Sequence, residues 1–109
     1  MPTASKSILP TIYKVVFRPR AKKRFDRLDP VIQRQIARKL DERRHNPRVA
    51  ADALSKLRDC YKIKLRAKGI RLVYQVRDER LILLVLSVGS REREEAYVEA
   101  AAELGKLDD

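Results

Sequence analysis

One chain of 109 residues suits a single domain with one modest core, and its 44% apolar and 38% charged residues exclude a disordered chain. The 26 Lys+Arg against 15 Asp+Glu leave a net charge of +11, which points to a polyanionic partner: nucleic acid, an acidic protein or, less readily, an anionic membrane. Cys60 is the only cysteine, so no internal disulfide can form, and "LILLVLSV", the longest apolar run, is far too short for a membrane-spanning helix. With no secretory hydrophobic segment near the start, a cytoplasmic chain without membrane association is expected.

Residues 1–10, "MPTASKSILP", read as a flexible leader before a single domain over 11–104, with 105–109 as a C-terminal tail. The β-branched and aromatic stretch "TIYKVVF" (11–17) predicts a first strand. In "RPRAKKRFDRL", Ala21, Phe25 and Leu28 form one helical stripe that opens near Pro19. A second helix follows: Asp29 caps it, Pro30 suits its first turn, Ile32, Ile36 and Leu40 line one face, and Asn46-Pro47 ends it. A break of one or two residues makes the pair an antiparallel helical hairpin. Strands are then expected at 61–66, 70–77 and 81–88, in an antiparallel meander with Gly69 in one turn and Asp78-Glu79 in the other. "REREEAYVEAAAELGK" predicts a closing helix that stops at Gly105. The order β-α-α-β-β-β-α predicts an α+β fold: a small, antiparallel-rich sheet with an N-terminal helical hairpin on one face and a C-terminal helix.

"CYKIKLRAKGIRLVYQV" gathers Lys62, Lys64, Arg66, Lys68 and Arg71 with no acid among them. Alternation puts Tyr61, Ile63 and Leu65 on one face of their strand and Ile70, Leu72, Tyr74 and Val76 on the same face of the next. Pairing those oily faces sets Lys64 near Arg71 on the opposite face, because a slip of one residue would bury cations. Like charges across a strand pair are destabilising, so this arrangement serves something other than stability. In "SVGSRERE" the last strand ends, and an antiparallel meander brings Arg91 to the same rim as Arg71, with Tyr97 projecting from the closing helix. Cations around an aromatic hydroxyl suit a phosphodiester flanked by bases.

RNA cleavage without a metal needs a base for the ribose 2′-hydroxyl and an acid for the leaving 5′-oxygen. The only histidine, His45, belongs to the end of the second helix, and no acidic cluster suggests a Mg²⁺ site, so neither metal nor cofactor is expected. Chemistry therefore falls to Lys, Arg and Tyr. Lys64, crowded by Lys62 and Arg71, is the best candidate base, because neighbouring cations disfavour its charged form. The acid stays unassigned.

The stretches "LRDCYKIKLRAKGIRLVYQVRDE" and "SVGSREREEAYVEA" resemble the RelE toxins of bacterial and archaeal toxin–antitoxin modules, over about 11–104. The resemblance implies a RelE-like, microbial-RNase-like fold that enters the ribosomal A site and cuts mRNA by 2′-hydroxyl attack. It also implies a monomer when free, a hetero-oligomer with a RelB-type antitoxin, and the 70S ribosome and mRNA as further partners. By motif, the family's active-site lysines fall on Lys62 and Lys64, its phosphate-gripping arginines on Arg71 and Arg91, and its closing-helix tyrosine on Tyr97. Arg66 and Arg93 match RNA- or ribosome-facing positions, and Lys68 is expected to bind RNA or the ribosome beside them. Ser90 departs from the family, where lysine is common.

The same resemblance assigns the helix cations Arg18, Arg20, Lys22, Lys23, Arg24, Arg34, Arg38, Lys39, Arg43 and Arg44 to ribosomal RNA. For the acidic closing helix two readings stand: a cover over Ile82, Leu84 and Leu86, or an element that the antitoxin displaces. Two other function classes also stand beside the mRNA interferase. One is a ParE-like toxin that inhibits DNA gyrase by binding; the other is an RNA- or ribosome-binding module without chemistry.

Overall fold

The computed structural model describes residues 12–108, so the leader assigned to 1–10 lies outside the described residues. The expected α+β order holds: β1 (Lys14–Phe17), α1 (Pro19–Asp26), α2 (Pro30–His45), β2 (Cys60–Leu65), β3 (Ile70–Arg77), β4 (Ile82–Ser90) and α3 (Glu95–Asp108). Asp29 caps α2 as its side chain accepts from the Val31 amide at 2.8 Å, and Pro30 opens the first turn.

The sheet order is β1-β4-β3-β2, and the three later strands form the antiparallel meander. Tyr61 faces Tyr74, Ile63 faces Leu72 and Lys64 faces Arg71, the register set by the oily faces. β1 runs parallel to β4, a pairing its four residues do not announce. Where β1 ends the chain turns into α1, and the Arg18 amide still donates to the Val85 carbonyl at 2.9 Å.

Two apolar clusters sandwich the sheet. On one face Ala21, Ile36 and Leu40 of α1 and α2 meet Tyr61, Ile63, Leu72, Tyr74, Val76, Leu83, Val85 and Val88. On the other, Ala96 and Ala100 of α3 meet Cys60, Val73, Leu84 and Leu86, with Ile82 packed against them. The closing helix is therefore a cover for Ile82, Leu84 and Leu86. Along β4 the face changes parity through one extra residue: Val73 pairs with Ser87 but Tyr74 pairs with Val85, which leaves Leu86 as a bulge.

Several boundaries differ from the sequence expectation. β2 ends at Leu65, and Arg66 opens a 3₁₀ turn that closes on Gly69 at φ 64°. Leu81, at φ 53°, belongs to the preceding turn, so β4 starts at Ile82. Residues Glu92–Glu94 form a further 3₁₀ turn before α3, and the hairpin break spans three residues, 27–29. α3 runs through Gly105 rather than stopping there, so 105–108 are helix, not a tail. The reason is downstream: Leu107 packs on the second cluster, and one more turn buries part of it.

Gly105 is exposed, and a Cβ added there would meet nothing within 4 Å. Gly105→Ala is expected to stabilise the protein by about 0.5–1 kcal/mol through helix propensity. Urea unfolding checks this; a loss of stability would show a left-handed stop at that position.

Candidate active site

The site forms where β2, β3 and the exit of β4 leave the sheet surface beyond the cover of α3. Alternation aims Lys62, Lys64 and Arg71 away from the α1–α2 face, toward the side that carries α3. The turn Arg66–Lys68 brings the chain back, and Gly69 in the left-handed region lets it close within three residues. The amide of Arg91 donates to the Gly69 carbonyl at 2.8 Å, which ties the β4 exit to the β2–β3 turn. A Cβ at Gly69 would lie 3.7 Å from Arg91 Nε, so the arginine side chain lies along the glycine.

Two grooves meet at Lys64 and Arg71. The larger, about 500 Å³, is lined by Leu54, Ser55, Lys56, Leu57, Lys62, Lys64, Arg71, Glu94 and Tyr97. The smaller, about 320 Å³, is lined by Lys64, Leu65, Arg66, Gly69, Ile70, Arg71 and Arg91. A further groove of about 400 Å³ beyond it joins Arg66 and Lys68 to Arg91 and Glu92. The guanidinium of Arg71 lies over the Tyr97 ring, 5.4 Å from its centroid, a cation–π contact that holds both side chains in place. Lys62, Lys64, Arg71, Arg91 and Tyr97 are thus brought together, with Arg66 and Lys68 at the rim. The Arg93 side chain lies outside the described part of the structure.

Among the described residues, Lys62, Lys64, Arg66, Lys68, Arg71 and Arg91 make no salt bridge. Asp52, Asp59, Asp78, Glu95, Glu99 and Glu103 pair with arginines elsewhere. Lys62 is the first cause that holds the Lys64 ammonium below the usual lysine range, followed by desolvation, Arg71 and Arg66, with Asp52 acting in opposition. Burial pushes the Cys60 thiol up to about 12, which makes it packing rather than a nucleophile. His45 sits at the end of α2, its Nδ1 2.9 Å from the Asp41 carbonyl oxygen, and lines neither groove.

The helix cations divide in a way that the sequence reading did not foresee. Arg18, Arg20 and Arg24 pair with Glu103, Glu99 and Glu95 of α3; Lys22 pairs with Asp26, and Arg44 with Asp41. Arg43 holds Asp52 at 2.6 Å and donates to the Tyr74 hydroxyl and the Lys62 carbonyl, so it braces α2 against β2. These six have protein counterions, while Lys23, Arg34, Arg38 and Lys39 have no salt bridge among the described residues. Glu94, Lys56, Leu54 and Leu57 line the larger groove and were not foreseen. The spacing Glu94-x-x-Tyr97 could have found the first; the others come from a loop whose return is set by an Ala53–Tyr61 bridge.

With this geometry in hand, relatives can be named. The model of the ParE toxin of the type II toxin–antitoxin system parDE matches residues 15–95. The mRNA interferase toxin RelE of Escherichia coli strain K12 is 48% identical over 88 residues, covering 81% of this chain and 93% of that protein. An E. coli RelE toxin variant in the free state superposes with a TM-score of 0.80 at 43% identity, over 85% of this chain and 98% of that one. The toxin in the intact E. coli RelBE complex gives 0.72 at 46% identity, over 74% and 99%. Fold and relatives define a class, the small α+β toxins of type II toxin–antitoxin modules. Within it, this chain belongs to the RelE family.

If Lys62 is what depresses Lys64, removing it favours the charged form. In the free Lys62→Ala variant the Lys64 side chain, followed by NMR titration, is expected to lose its proton at higher pH than in the parent; an unchanged midpoint would remove the crowding argument.

Proposed function

We propose that this chain is the toxin of a type II toxin–antitoxin pair and acts as a ribosome-dependent, metal-independent endoribonuclease on mRNA in the A site. What carries the reading is the convergence of Lys62, Lys64, Arg71, Arg91 and Tyr97 on joined grooves without protein counterions. Lys64, with its depressed pKa, accepts the proton of the 2′-hydroxyl as that oxygen attacks the adjacent phosphorus. Arg71 and Arg91 hold the non-bridging oxygens as charge builds, and the bond to the 5′-oxygen breaks with uptake of a proton there. Tyr97 orients Arg71 from beneath and presents its hydroxyl edge to the substrate. Arg66, Lys68 and Arg93 extend the contact to flanking phosphates.

Without a histidine–carboxylate pair the free protein is a weak nuclease, and the ribosome supplies the in-line geometry. A RelB-type antitoxin is the inhibitory partner, in line with the intact RelBE complex of E. coli. The free toxin is read as a monomer, and its work on translating ribosomes makes it cytoplasmic. Among the described residues no helix is long and apolar enough to cross a membrane.

The matched description names ParE, so a gyrase-binding toxin is the second reading. Primer extension on translated mRNA, with and without ribosomes, separates them: A-site cuts support the nuclease, whereas supercoiling loss without cuts supports gyrase binding. Arg91→Ala is expected to lower cleavage by about 100-fold or more with an unchanged circular dichroism spectrum. Full activity in that variant would remove the phosphate-clamp role.

A further inference from the structure

Three ion pairs fasten α3 to α1 in antiparallel order: Arg18 with Glu103 at 2.8 Å, Arg20 with Glu99 at 3.2 Å, and Arg24 with Glu95 at 2.6 Å. Only the last reaches the site. Glu95 Oε1, which takes the Arg24 guanidinium, also accepts the Ser90 amide at 3.3 Å, one residue before Arg91. Glu95 opens α3, two residues before Tyr97. The junction is tight: a Cβ at Gly89 would lie 2.9 Å from Glu95 Oε1 and 3.2 Å from the Ala96 nitrogen. One carboxylate oxygen thus lies between the end of β4, the first turn of α3 and a helix 71 residues away in sequence. Arg24 is also the first cause that keeps the Glu95 carboxyl below its usual range, ahead of the Ser90 amide.

We propose that Arg24 and Glu95 are positioning residues for cleavage: Arg24 fixes the Glu95 carboxylate, which through the Ser90 amide sets where Arg91 and Tyr97 meet the RNA. Neither side chain lines the grooves at Arg71, so neither touches the reacting atoms. Both are half-exposed, and pairs of that kind add little to stability. Their effect therefore falls on geometry, where displacement of about an ångström lowers a rate far more than it lowers folding. The inference deepens the nuclease reading and rests on it.

The test compares two rungs of the ladder in the full chain, measuring A-site cleavage on programmed ribosomes and thermal midpoints. Arg24→Ala is expected to lower kcat about tenfold with KM for ribosomes unchanged. Glu95→Ala lowers it at least as far, and the double variant no further than Glu95→Ala alone, since the two act in series. Glu95→Gln retains most activity, because its amide oxygen still accepts from Ser90. Arg18→Ala, which breaks the far rung and strips the buried Glu103 of its arginine, lowers the midpoint further than Arg24→Ala but leaves kcat within about twofold. Parent-like kcat in Arg24→Ala, additive losses, or kcat tracking the midpoint across both rungs would overturn the proposal. If the parent itself does not cleave, the nuclease reading fails separately. The link is then read from backbone amide shifts, expected to move at Ser90 and Arg91 in Arg24→Ala but not in Arg18→Ala; unmoved shifts would end it.

Discussion

Lys64 stands directly across from Arg71 on neighbouring strands, and neither makes a salt bridge among the described residues. Cross-strand like charges work against the sheet, so the pairing persists because the opposite faces of the same residues' neighbours are worth more buried. Tyr61, Ile63, Leu72 and Tyr74 occupy the hairpin side of β2 and β3, and any slip that parted the cations would pull those side chains into water. The repulsion is locked in by the core beneath it. The same fixed register holds Lys62 beside Lys64, and Lys62 is the first cause that depresses the Lys64 pKa, followed by desolvation and then Arg71, so one constraint links packing to proton transfer.

A second regularity is where the acids go. Glu95 and Glu99 take Arg24 and Arg20 of α1, Glu103 takes Arg18 at its N-cap, Asp52 takes Arg43, and Asp59 and Asp78 share Arg48, which also donates to the Tyr61 hydroxyl. Carboxylates thus serve as fasteners between elements distant in sequence, and the β2–β3 surface is left positive. Glu94 differs: its carboxylate makes no salt bridge among the described residues and lines the larger groove, with its backbone at φ 51°. The net charge of +11 is therefore not spread evenly: the part without protein counterions includes the part that faces the grooves.

How much of this was legible before the structure follows from the range of the interactions. The β2–β3 register was readable because two strands joined by a short turn carry a strict alternation, and misregistering them buries charge. The convergence of Arg71 and Arg91 followed from the same meander. β1's place beside β4 was not readable: four residues carry little pattern, and a parallel partner 68 positions on leaves no local mark. Gly105 misled because local helix-stop preference was overridden by the burial of Leu107. The helix arginines misled for a related reason. As isolated cations they look like RNA contacts, and only the packing of α3 beside α1 reveals their carboxylates.

The extra residue at Leu86 bears on how this strand can vary. Before it, Leu83 and Val85 point to the hairpin side; after it, Val88 does, while the Ser87 hydroxyl reaches the Ala96 carbonyl at 2.6 Å and Gly89 abuts α3. Leu86 is the unpaired residue, so removing it would leave Val85 across from Tyr74 and Ser87 across from Val73, with Arg91 still on its rim. The ladder would lose only the bulge and the buried Leu86 side chain. The extra residue therefore marks the point where β4 can lose a single position without turning its downstream side chains over, a latitude that the regularly paired stretches on either side lack.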